Sequence, residues 1–248
     1  MKHQNDKIEA GEIVVQNRFI KWLENFWYHY KWHTIVVVFF LFTGTVCFVQ
    51  CATSGNASDL TIAYAGGYTF GVEDDYNRVV EVLSLVAPED PKGEGRLTLA
   101  MNTFSVYTDE EIRKNCIDED GNLSTYAYTN SKKVSLDHLQ TFSTSVKTGT
   151  NAIWLVSEYV YRDCELYLEK VARPLSDLYG EELPASAYDG YAIRLSQTEL
   201  YQKYDALKIL PADTLVLLPS SFWLSDSADE KVYANYERLF RNIVEYQG

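Results

Sequence analysis

The chain has 248 residues, a net charge of −13 at pH 7, 46% hydrophobic residues and 4 histidines. Residues 52–248 hold 17 Lys and Arg against 31 Asp and Glu. That balance argues against nucleic acid, or an anionic lipid surface, as a direct partner of this segment. Roughly 190 residues suffice for one domain with a buried core.

The first predicted element is aromatic and basic. Val15 to His33 places Phe19, Leu23, Phe26, Trp27 and Tyr30 on one helical face. It reads as a juxtamembrane helix on the inner leaflet, or as a docking helix for a partner.

Thr34 to Cys51 follows without a charge. Eighteen residues at ~1.5 Å each span roughly 27 Å, close to the ~30 Å hydrocarbon layer. Trp22, Phe26, Trp27, Tyr28, Tyr30 and Trp32 crowd its inner flank, where amphipathic rings settle at headgroup level. Lys2, Lys7, Arg18, Lys21 and Lys31 precede the run, and the first basic residue after it is Arg78. This bias puts residues 1–33 in the cytoplasm, a transmembrane helix at 34–51, a tether at 52–58 and residues 59–248 outside the cell membrane. The long segment before the run argues against a cleaved signal peptide. Gln50 before Cys51 and Val46 before Cys47 do not fit a lipobox.

Leu60 to Ala65 reads as a buried strand, broken by Gly66-Gly67. A helix capped by Asp74 or Asp75 follows near Tyr76 to Val86, with Val79, Val80, Leu83 and Val86 inward. Arg96 to Thr103 is a second strand. Tyr107 to Lys133 is the least regular stretch, with a short helix at Asp109–Asn115 and then a hairpin around Asp120-Gly121. Ser135 to Lys147 is helical and Gly149 ends it. Ala152 to Val156 is a strand, Glu158 to Val171 a helix, and Tyr188 to Leu195 and Asp213 to Leu218 are strands. A last helix starts at Asp226 or Ser227, with Val232, Tyr236, Leu239, Phe240 and Ile243 on one face. The expected fold is α/β: one N-terminal transmembrane helix, then an open, mostly parallel sheet with flanking helices.

Chemistry-bearing residues are sparse. His138 is the one histidine after residue 51, which leaves no histidine-rich zinc site there. A Ser-His-Asp triad would have to use it, yet it lies mid-helix without a nucleophile elbow. Asp118 to Asn122 begins like a calcium loop, but Leu123 and Thr129 stand where such a loop needs Gly and Glu. A tight Asp-Gly turn fits better. Cys116 and Cys164 are the only cysteines well clear of the membrane run, and an oxidising compartment permits a bridge between them. Cys47 and Cys51 are placed for packing or acylation.

Ligands of open α/β sheets sit outside the carboxyl ends of strands. That rule nominates Gly66, Gly67, Tyr68 and Thr69 after the first strand, Ser157, Glu158 and Tyr159 after the Ile153–Val156 strand, and Ser220, Ser221, Phe222 and Trp223 after the last. Aromatic and hydroxyl groups there would suit a small polar ligand, and they equally fit ordinary loops. Glu158 with Asp163 is a possible acid–base pair for a cell-envelope hydrolase.

Leu136 to Gly180 runs apolar helix, Gly149, strand IWLV, Ser-Glu-Tyr turn, then Pro174-Leu175. This order resembles a lobe of bacterial extracellular solute-binding proteins of the transporter type. The resemblance implies that the helix–Gly–strand unit leads to residues lining a ligand cleft. The chain also resembles uncharacterised membrane-anchored bacterial proteins, which imply no activity. The expected function is therefore a membrane-anchored extracytoplasmic binding or interaction domain without catalytic activity or cofactor. The alternatives are an assembly subunit of a membrane complex, and the carboxylate hydrolase.

Overall fold

The computed structural model describes residues 18–53, 58–90, 93, 95–118, 120–220 and 228–247. The chain divides into two compact units, Met1–Ala57 and Ser58–Gly248.

In the first unit, α1 (Arg18–Thr53) is one helix of 36 residues. The aromatic segment and the apolar run thus share a helix, with no interruption at His33. Ile35 to Phe42 are exposed along it. Trp22, Phe26 and Tyr30 stack in a ladder, with centroids 5.7 and 5.4 Å apart. Thr43 and Thr45 donate back to the carbonyls of Phe39 and Leu41 at 2.8 and 2.7 Å. Among the described residues no helix is long and apolar enough to cross a membrane. The run expected to do so extends past the described side chains, which stop at Val46. Most of the expected tether, residues 54–57, lies outside the described residues.

The second unit is an α/β domain around a five-stranded sheet. The strands are β1 (Leu60–Gly66), β2 (Leu99–Ser105), β3 (Ile153–Val156), β4 (Ala192–Arg194) and β5 (Leu215–Leu217), in the order β2-β1-β3-β5-β4. The expected mostly parallel sheet is corrected to a mixed one. β1 pairs parallel with β2 and β3, whereas β5 runs antiparallel to both its neighbours, β3 and β4. Residues 195–214 join β4 to β5 through two 3-10 turns and one five-residue helix, and the chain turns back beside β4 in the antiparallel sense instead of crossing over.

Helices cover both faces. Ile62, Tyr64, Ile153, Leu155 and Val216 form one core with α2 (Glu73–Leu85), α7 (Ser176–Tyr179), α8 (Glu199–Lys203) and α9 (Ala228–Val244). Ala63, Ala65, Trp154, Val156, Leu215 and Leu217 form the other with α4 (Thr125–Thr148), α5 (Glu158–Arg162) and α6 (Leu168–Val171). This double burial is why β1 and β3 are continuous apolar runs instead of alternating ones. Phe142 and Phe240 are fully buried on opposite faces, each contributing about 2–3 kcal/mol of transfer free energy.

Several boundaries differ from the sequence reading: β2 is Leu99–Ser105 instead of 96–103, and β4 keeps only Ala192–Arg194 of the strand expected over 188–195. α4 starts at Thr125, ten residues earlier, capped by the Ser124 hydroxyl, which accepts from Ala127 N. The expected helix over 158–171 is two short ones, because Glu165 and Tyr167 take left-handed backbone conformations, φ 52° and 50°. Asp74 and Asp75 lie in the first turn of α2 instead of capping it; Val72 is the cap residue. The expected starts of the last helix, Asp226 and Ser227, lie outside the described residues.

Candidate functional site

β1 leads out to one edge of the sheet through α2 and β2, and β3 leads out to the other side. The carboxyl ends of β1 and β3, which are paired neighbours, therefore flank a switch point. Gly66-Gly67 and Ser157-Glu158 are brought together there: Ser157 N donates to Ala65 O at 2.9 Å. Ser220 is not. Because β5 is reversed, its carboxyl end lies at the opposite edge, where Ser220 N donates to Val171 O at 2.8 Å. Ser221, Phe222 and Trp223 lie outside the described residues.

The two glycines make room for the chain's own side chains. A Cβ at Gly66 would lie 2.8 Å from the Tyr64 hydroxyl, and one at Gly67 would lie 2.7 Å from Glu111 Oε1. Tyr64 is buried, and burial pushes its phenol pKa up; its oxygen accepts from Tyr68 N at 3.1 Å. Glu111 is held by the cap of α3 (Asp109–Asn115), where its carboxylate accepts from Thr108 N and Oγ1 at 2.7 and 2.9 Å. Tyr68 donates to Asp75 at 2.8 Å, and Thr69 bonds Ser105 and Tyr107 through its hydroxyl. His138, inside α4, accepts the Ser105 backbone N–H on Nδ1 at 3.0 Å. That bond requires the tautomer with its proton on Nε2.

Beside Ser157 lies an ion-pair cluster absent from the sequence reading. Ser157 caps α5, its Oγ accepting from Val160 N at 3.3 Å, and Asp213 Oδ2 accepts from Glu158 N at 3.3 Å. The Glu158 carboxylate accepts from the Tyr188 hydroxyl and from Arg194 Nη2 at 2.9 Å, with Arg162 Nε 3.7 Å away. Arg162 and Arg194 both stack on the Tyr188 ring, 4.8 and 4.7 Å from its centroid. The Tyr188 bond and then Arg194 hold Glu158 below the usual carboxylate range. Burial and Glu158 push the Tyr188 phenol up. Burial, then the bond to Asp189, pushes Tyr161 up. These shifts favour an ionised Glu158 carboxylate and protonated Tyr188 and Tyr161 phenols.

Asp163, the expected acid–base partner of Glu158, is the C-cap of the same short helix, and Glu158 is already engaged by Tyr188 and Arg194. Asp118 forms the expected turn: its Oδ1 accepts from Asp120 N and Asn122 N at 3.1 and 2.8 Å, and Gly121 has φ 83°. Among the described residues no group of three His, Cys, Asp or Glu is placed to hold a metal. The bridge that the sequence permits is not present in this structure, where Cys116 and Cys164 are both free. Cys116 is buried, 3.8 Å from Ser131 Oγ, and burial pushes the Cys164 thiol up.

Compared with known family models, curated proteins and solved structures, the chain matches none.

Proposed function

We propose that the protein is a membrane-anchored interaction module, held by Thr34 to Cys51, with Ser58–Gly248 outside the cytoplasm and no catalytic role. The observation that carries the anchor is the exposed apolar stretch of α1, Ile35 at 46% to Phe42 at 68%. Water disfavours such a surface, and lipid accepts it. The threonine hydroxyls bonded back to their own helix fit a medium without water. At about 54 Å, a 36-residue helix exceeds the hydrocarbon layer. The aromatic ladder then continues into the headgroup region.

For the outer unit, the switch-point edge is the binding face of this reading. The space beside Gly66 and Gly67 is taken by the Tyr64 hydroxyl and the Glu111 carboxylate, which favours a partner docking on the surface over a solute captured inside, the role implied by the resemblance to a solute-binding lobe. Arg162, 57% exposed, and Tyr188 offer the planar cation and ring that anchor interfaces well. They suit a partner segment rich in carboxylate or carbonyl acceptors. A photocrosslinker placed at residue 162 of the full chain in native membranes should give a discrete adduct. The same probe at Tyr126, exposed on α4, should not. Equal labelling from both positions contradicts the assignment of the face. The Trp22–Phe26–Tyr30 ladder favours a second reading, an assembly subunit that docks through α1.

A further inference from the structure

At the opposite edge of the sheet, Asn151 precedes β3 and is 1% exposed. Neither its Oδ1 nor its Nδ2 has a hydrogen-bond partner in the protein. A primary amide carries two donor hydrogens and two acceptor lone pairs, and burying all of them unpaired is costly. Gly149, with φ 63°, ends α4 two residues earlier and turns the chain so that Asn151 enters the interior. Beside it is a small, partly open cavity lined by Asn151, Trp154, Pro219, Ser220, Tyr233 and Tyr236 among others. Its volume of about 10 Å³ leaves room for about one water. Most of the wall is apolar, with the Asn151 amide unpaired beside it. Tyr233 donates to Pro219 O at 3.0 Å, and its oxygen is also met by the Arg173 guanidinium.

We infer that this cavity is a binding site for a single ordered water, held by the Asn151 amide between the start of β3 and α9. The volume is too small for an organic ligand, and the amide makes it too polar to stay dry. The water pairs the otherwise unpartnered Asn151 amide at the α4–β3 turn. The site is at the edge away from Glu158 and is independent of the binding face proposed there.

Nuclear Overhauser spectroscopy of the isotopically labelled full chain in detergent micelles tests this. Cross-peaks of long-lived contact should join the Asn151 side-chain amide protons to the water resonance, and the Trp154 ring should report the same water. In Asn151→Leu the Trp154 contact should disappear while the β3 amide pattern is retained. Should Asn151→Leu not fold, the wild-type cross-peaks alone decide. The absence of a water contact at Asn151, or its survival at Trp154 in the folded leucine variant, overturns the inference.

Discussion

Arg194 and Glu158, 36 residues apart in the chain, meet where β4 and β3 end, Nη2 donating to Oε2 at 2.9 Å. The pair joins two strands that are not neighbours in the sheet, since β5 lies between them. Tyr188 completes the link, its hydroxyl on Glu158 and its ring under the Arg194 guanidinium.

The stability given by this pair depends on pH with a defined sign. The folded-state pKa of Glu158 is lowered. The contribution is therefore fully present above the unfolded value, about 4.3, and is lost as pH falls through the folded value. Arg194→Met should lower stability at pH 7 by about 0.5–1 kcal/mol, a figure reduced because the Glu158 side chain is 38% exposed. The difference from wild type should shrink toward pH 3 in urea titrations; a gap that widens in acid contradicts the pairing.

Gly66→Ala should destabilise by about 1–3 kcal/mol through overlap with the Tyr64 hydroxyl. Tyr64→Phe removes that oxygen. The glycine substitution should thus cost less in the phenylalanine background, and a double-mutant cycle reads the difference. Additive effects would mean that the two do not touch.

His138→Ala should leave the Ser105 N–H without its acceptor, at a cost of about 1 kcal/mol. Hydrogen exchange at Ser105 should quicken while exchange within the core strand β3 stays slow. Unchanged exchange at Ser105 would show that the imidazole does not hold it.

Alkylation of the folded chain followed by peptide mapping should find Cys116 and Cys164 unbridged. Cys164 should react slowly at neutral pH, because burial raises its thiol pKa. A recovered Cys116–Cys164 linked peptide would contradict the free thiols.

Much of the fold is legible in the residues, and the illegible part has physical causes. β1 and β3 stand out because burial on both faces demands unbroken apolar runs. The direction of β5 is invisible to such patterns, since periodicity is the same read either way. That single reversal moved Ser220 away from the candidate site. The start of α4 was hidden because its first turns, with Tyr126 85% exposed, carry no apolar stripe. The break between α5 and α6 rests on Glu165 and Tyr167, whose types do not announce left-handed backbone. Glu158 was found at a strand end. Tyr188 and Arg194 were not, because their contact with it is set by strand order. The one available signal was a lone arginine in the otherwise uncharged stretch Tyr191 to Leu195.

Protease added to intact cells, followed by detection of both ends of the chain, tests the central claim most directly. Residues 58–248 should be digested or released from outside, while the segment before Thr34 stays protected and sediments with alkali-washed membranes. An intact C-terminal unit in sealed cells, or full-length chain in the alkaline supernatant, would contradict the account.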